Sequence, residues 1–542
     1  MATSPGLACS AAVSTGIQAI SAGAAVLIAL CYYLSQSVWL AGLGFFTLYR
    51  PLIGGTLVGL ILGTPLAGAR IGAAINLAYL GFIATGGALP SDISLAGYLG
   101  TALALSSGLD ERAALALTLP LGMLGYLIYQ LRMTLDIGFV RWGERLAERG
   151  ATRELFWCNV IAPQALLFIL CAVPCFMAVY WGPAWLAANL AMIPAWLLNG
   201  LAGAGALLPL VGLAYSLYWL WHAENGAWFI LGFIIAVLAN VPLLVLALVA
   251  GCVAWLRHRQ ATLEPGKTQP PSTTVEHLLR RRDLALAWLN WLFYSHGSYN
   301  FERMQGLGFA HSMAPILRRL YPDKQERAQA LGRHMAYYNC EPNLGALING
   351  AVIALEETRA SQGKVSGEAI HAAKIGMMGA ISGVGDSLIQ GTFVPLALML
   401  GIGLTQQSGL IGPAIYCALV AAVIWGIGLS SFVLGYCGGQ VAITKRLAAG
   451  SLQGLLAGLE MVGSVMLGAL LARVVNLSTN VSLTIGNQLV KLDDVLNDIF
   501  PHLIAFILCL GAVWLFKHRV KTWWVISGAL VVGFVARIAG VI

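Results

Sequence analysis

Charge is what this sequence has least of. Asp, Glu, Lys and Arg together make up 10% of its 542 residues, against roughly 25% in a typical soluble protein. With hydrophobic residues at 58% and a mean hydropathy of +0.79, too little polar side chain remains to cover a globular surface. A soluble enzyme, a nucleic-acid-binding module and a disordered scaffold are thereby excluded. The ten cysteines contain no CxxC pair, so neither a zinc site nor a redox motif is signalled. Cys171 and Cys175, one helical turn apart in an apolar run, read as core. No Lys or Arg precedes Arg50, so the basic n-region of a cleavable signal peptide is missing. Gly266-Lys267-Thr268 resembles the end of a P-loop, but Ala261 stands where that motif needs glycine. No cofactor, metal or catalytic set is expected.

What is present is long apolar sequence. Stretches able to enter or span a bilayer lie near 16–34, 51–66, 69–89, 113–131, 157–181, 204–221 and 227–256. They resume near 344–356, 374–403, 408–434, 451–474, 499–516 and 522–541. The expectation is an all-α polytopic membrane protein of two helical modules, with broken or re-entrant helices marked by many of the 63 glycines. The module boundaries are 1–256 and 283–542, joined by a polar linker over 257–282 that contains Glu264-Pro265-Gly266 and Pro270-Pro271. Basic clusters at Arg132–Arg153, at the linker and at Lys517–Lys521 are expected on the cytoplasmic side, which accounts for the net charge of +8.

Two segments break the apolar pattern. Residues 303–343 read as amphipathic cytoplasmic helices, with Asp323 after Pro322 as a helix start, lying on the membrane or facing a soluble partner. Residues 481–492 alternate around Gly486-Asn487, which predicts a small β-hairpin.

Polar groups deep in apolar sequence are costly and are therefore candidates for function. In the first module these are Asn76 and Asp92, the latter after the break Gly86-Gly87-Ala88-Leu89-Pro90. Asn76 could equally bridge helices, and Asp92 could cap one. In the second module they are Ser298, Asn300, Glu302 and Gln305, together with Asp386 in a glycine-rich run that reads as a discontinuous helix. Asp386 could instead cap the following helix, and Glu302 could pair with Arg303 or Arg318. Glu356 and Glu357 beside Arg359 read as an end-of-helix ion pair.

Several motifs carry a resemblance. Tyr299-Asn300-Phe301-Glu302-Arg303-Met304-Gln305-Gly306-Leu307-Gly308, Leu320-Tyr321-Pro322, Arg333-His334, Ala354-Leu355-Glu356-Glu357 and Gly383-Val384-Gly385-Asp386 resemble the IID subunit of the mannose family of the bacterial phosphoenolpyruvate-dependent sugar phosphotransferase system. The first module resembles the partner IIC subunit through Arg50-Pro51-Leu52-Ile53, the Thr56–Gly63 run, the Asn76–Gly81 run, Asp92, Asn199-Gly200 and Gly232-Phe233. The chain thus looks like a natural IIC–IID fusion.

The resemblance implies a sugar permease of the bacterial cytoplasmic (inner) membrane, assembled as a homotrimer. A hexose or hexose derivative would bind between the modules and move inward for phosphorylation by a separate IIB protein, itself charged through IIA. Asn76, Asp92, Ser298, Asn300, Glu302 and Gln305 would hydrogen-bond the sugar, with Asp386 shaping the site. The Arg132–Arg153 loop and residues 303–343 would dock IIB. The chain departs from the family pattern at Asn76, Tyr299, Glu341, Ser387, Gln390 and Val394, and these departures bear on which sugar is carried. An ion-coupled transporter using Asp92 and Asp386, with no phosphorylation, is the alternative. No nucleic-acid partner is expected.

Overall fold

The computed structural model describes residues 19–80, 91–108, 111–190, 210–218, 223–239, 243–261, 278–363, 365–448, 451–475, 477–479, 481–485, 488–520 and 522–541, with single positions 196, 200, 207, 221 and 241. The Gly86–Pro90 break, most of the linker, Asn199 and the Gly486-Asn487 turn lie outside them. Helices dominate. In the first half α1 spans Ala22–Gln36, α2 Pro51–Ile61, α3 Pro65–Ala78, α4 Ile93–Ser107 and α5 Glu111–Glu148. Helical turns then run from Trp157 to Leu190, alternating π and α geometry, and helices follow over Ala223–Leu238 and Leu243–Ala261.

The helices α2 and α3 form a hairpin of 11 and 14 residues. At the helical rise these are about 17 and 21 Å long, short of the roughly 30 Å of a bilayer core. Pro51 and Pro65 each start a helix at a position where the missing N–H is no loss. The hairpin closes on glycine. A Cβ on Gly68 would sit 2.3 Å from the Gly55 carbonyl oxygen and 2.6 Å from the Gly59 Cα. The four-residue glycine spacing therefore lets two backbones touch, and Asn76 secures the hairpin by accepting the Leu52 N–H at 3.2 Å.

In the second half, helices occupy Arg281–Tyr294, Gly306–Leu320, Lys324–His334 and Pro342–Gln362. A run from Gly367 to Ser408 follows, in which Asp386–Phe393 is wound as π-helix between two α segments. Long helices at Ile411–Ala448 and Ser451–Val474 and short ones near the C-terminus complete it. Between these, Ser482–Ile485 pairs antiparallel with Gln488–Lys491.

Asp323 does start a helix, its Oδ1 accepting the Gln325 and Glu326 N–H groups. The preceding helix is not a surface helix, however. Gly306–Leu320 is buried along almost its whole length, with Arg318 and Arg319 exposed at its end. The Glu356 and Glu357 pairing also differs from expectation. Glu356 is fully buried and accepts from Arg333 (2.8 Å), His334 (2.9 Å) and Tyr321 (2.6 Å), while Glu357 accepts from the Leu279 N–H and the Tyr436 hydroxyl. Arg359 instead donates to the Val365 carbonyl. A buried carboxylate demands several donors, and those donors come from other elements.

The two halves share one core. Phe229 and Phe233 of the first half join Phe500 and Phe506 of the second in a stacked aromatic group. Among the described residues three helices are long and apolar enough to cross a membrane, at Trp157–Trp185, Leu388–Ser408 and Ile411–Gly438, and shorter apolar helices accompany them. Exposed Trp157, Trp181, Trp185, Trp514 and Trp524 present large apolar faces outward. The chain is a multi-pass membrane protein. Replacing Gly68 with Val should force α2 from α3 and cost at least about 1–3 kcal/mol. Thermal melting of the purified protein in detergent would register it as a clear downward shift, whereas an unchanged melting point would mean that this glycine contact is dispensable.

Candidate functional site

A cavity of about 160 Å³ lies where the two halves meet. The first half contributes Gln36 at the end of α1, the Ser37–Tyr49 segment, and Tyr129 and Arg132 of α5. The second half contributes Trp288, Trp291, His296, Tyr299, Gln305, the 339–343 stretch, and Ser382, Asp386 and Gln390. The wall thus mixes aromatic faces with hydrogen-bonding groups, the composition of a site for a small polar ligand.

The cavity is held together by a grip of the first half on residues 294–303. Arg132 reaches the His296 carbonyl at 3.4 Å, and Ser298 donates to the Asp136 carbonyl at 3.3 Å. Further along α5, Arg141 pairs with Glu302 at 3.0 Å and Glu144 with Arg303 at 3.0 Å. From the other side Asn159 donates to the Tyr294 carbonyl at 3.0 Å. Gln305 then fixes the opposite wall. Its amide nitrogen donates to the Cys340 carbonyl at 2.8 Å and its oxygen accepts the Cys340 N–H at 3.1 Å. The same nitrogen lies 2.9 Å from His296 Nε2, which makes that ring nitrogen the acceptor and places the ring proton on Nδ1, toward Ser295.

The seven residues singled out from sequence fall into different places. Gln305 and Asp386 line the cavity. Asp386 opens the π-helical segment, and such widened turns recur at functional sites. Asn76, Asp92, Ser298, Asn300 and Glu302 are not among the lining residues. Asn76 is buried in the α2–α3 hairpin, with its amide nitrogen lacking a partner among the described residues. Asp92 caps α4 through Oδ1, which accepts the Ser94 and Leu95 N–H groups. Asn300 folds its own loop, accepting the Glu302 and Arg303 N–H groups and donating to the Ser298 carbonyl. Glu302 is 43% exposed and bound to Arg141.

Gln36, Tyr129 and Asn339 are not among the sequence candidates, and Arg132 is there only as one charge of a basic loop. Glu341 stood out only as a departure from a family pattern. It caps the helix Pro342–Gln362, accepting the Asn343 and Leu344 N–H groups and the Asn343 amide. Gly385 makes room for it, since a Cβ there would lie 2.7 Å from the Glu341 Cβ. Glu341 and Asp386 are therefore neighbours on one wall. An amide closing an apolar helix, as Gln36 does, was the available signal. Glu302→Ala should weaken ligand binding by no more than about fivefold, because an exposed ion pair contributes about 1 kcal/mol or less. A loss of a hundredfold, in protein that melts normally, would put Glu302 against the ligand.

Known protein families match two separate stretches of the chain. The sorbose-specific IIC component of the phosphotransferase system matches residues 22–256, and the mannose/fructose/sorbose family IID component matches residues 278–542. The mannose-specific EIID component of Escherichia coli K12 is 33% identical over 279 residues, covering 50% of this chain and 97% of that protein. The mannose-specific EIIC component of the same strain is 29% identical over 223 residues, covering 40% of this chain and 83% of that protein. A solved membrane-protein chain is 32% identical with a TM-score of 0.46, covering 49% of this chain and 99% of that one. The chain belongs to the mannose/fructose/sorbose family of phosphotransferase-system sugar permeases, with the IIC and IID components joined in one polypeptide.

Proposed function

We propose that this chain carries a hexose or hexose derivative through the cavity between its halves, for phosphorylation on the inner side by a separate IIB protein charged through IIA. The observation that carries the reading is the shared wall: Gln36, Tyr129 and Arg132 from one half face Tyr299, Asn339, Glu341 and Asp386 from the other. A sugar offers hydroxyls that both donate and accept, together with C–H faces that lie against aromatic rings. Amides, carboxylates and tyrosines in a fixed frame recognise the hydroxyls, and an analogue lacking one leaves a buried group unpaired. Carriage in one chain fixes the stoichiometry of the two components and raises their effective concentration. The residues 257–282 serve as the tether. The working unit is a homotrimer in the bacterial cytoplasmic membrane, in contact with lipid.

The docking face for IIB is basic. Arg141, Arg145, Arg149 and Arg153 are exposed along the end of α5 and just beyond it, and Arg327 donates to the Gly150 carbonyl at 2.9 Å, which brings the helix Lys324–His334 beside them. Partial desolvation of the largely exposed Arg318 guanidinium, and then the neighbouring charges of Arg153 and Arg327, lower its pKa from the ordinary value. Like charges gathered in this way favour an acidic or phosphorylated partner. The chain itself is a transporter subunit, and the phosphoryl chemistry belongs to its partners.

Uptake of labelled hexoses and hexosamines in cells lacking their own mannose-type permease tests this. Phosphorylated sugar should accumulate only when IIA and IIB are supplied, and Arg149→Glu with Arg153→Glu should lower the rate several-fold without lowering the amount of protein in the membrane. Free sugar accumulating without IIB, and lost with the proton gradient, would contradict the reading and favour an ion-coupled carrier.

A further inference from the structure

Gln36 closes α1 at the edge of the cavity. Its amide nitrogen donates to Asp92 Oδ2 at 2.7 Å and to the Tyr32 hydroxyl at 3.2 Å. Tyr32 in turn donates to the same Asp92 oxygen at 2.7 Å. The nitrogen end of the amide is therefore turned toward two buried side chains that do not line the cavity. An ionised carboxylate only accepts, so Asp92 settles which end of the amide faces it. The other end of the amide is its carbonyl oxygen, an acceptor. Asp92 is itself immobilised, its other oxygen capping α4 and its N–H donating to the Gly122 carbonyl of α5 at 2.9 Å.

From this geometry we infer that Gln36 is a sugar-binding residue, accepting a hydrogen bond from one hydroxyl through its carbonyl oxygen, and that Asp92 is its positioning residue. The inference rests on the cavity being the sugar site. Asp92 thereby contributes to recognition without touching the ligand. The Tyr32–Asp92–Gln36 chain pre-sets the acceptor, so the ligand does not have to order it.

The orientation of the amide is testable by exchanging atoms. Asp92→Asn keeps a good helix cap but turns an NH2 group toward Gln36, so the Gln36 amide should flip and offer the cavity a donor. Adding Gln36→Glu to Asp92→Asn restores an acceptor, because the new carboxylate takes the Asn hydrogen on one oxygen and presents the other. Binding of D-mannose, D-glucose, D-fructose and D-glucosamine to the purified full chain would be measured by calorimetry. For the best of these, monofluoro-deoxy analogues, whose C–F group cannot donate, would follow.

Asp92→Asn should weaken binding about tenfold, the scale of one hydrogen bond, and the double variant should return to within about threefold of the original protein. One fluoro analogue should lose about tenfold against the original protein, and lose no more against Gln36→Met, which removes the amide at similar size. Folding is read separately by melting, and Gln36→Met keeps the test decisive should Asp92→Asn fail to fold. Full affinity in both single variants, or a double variant no better than Asp92→Asn, would overturn the inference while leaving the cavity reading intact. Absence of binding by the original protein across the panel would sink both.

Discussion

Everything at the cavity depends on how α5 and Asn159 hold the segment 294–303 of the other half. That grip is made largely to backbone: the carbonyls of Tyr294 and His296 are taken by Asn159 and Arg132, and the Asp136 carbonyl by Ser298. Backbone groups away from water must be paired, and the irregular 295–305 loop meets that demand through Asn300 and Tyr338 of its own half and, at the His296 carbonyl, Arg132 of the other. The loop in turn carries Gln305, whose pair of hydrogen bonds with the Cys340 backbone sets the opposite wall. One half thus completes the other, and a single chain guarantees that both are present.

The same demand explains why local polar density misleads in a membrane protein. The run Ser298–Gln305 is rich in hydrogen-bonding groups, and sequence alone makes it a ligand site. In the fold Asn300 spends its amide on its own loop and Glu302 faces outward to Arg141. Gln305 and Tyr299 do reach the cavity, as does Asp386. What the chain order cannot display is which donors a carboxylate finds. Glu356 draws Arg333, His334 and Tyr321 from 22 to 35 positions away and ignores Arg359 three residues on.

Features set by local chemistry were legible. The helical membrane class follows from composition and the start at Asp323 from its side chain. Gln36 was missed because it lies just past an apolar run and reads as the first residue of a loop. Its meaning depends on Asp92, 56 positions later. Asn76 and Asp92, which the sequence offered as either ligands or structural groups, serve here as a hairpin fastener and a cap.

The most direct test of a sugar site shared by the two halves is a cryo-electron microscopy structure of the full chain with the sugar that binds it best. Ligand density is expected between Gln36 and Arg132 on one side and Tyr299, Glu341 and Asp386 on the other. Density confined to one half, or placed against Asn76 or Glu302 with this cavity empty, would contradict it.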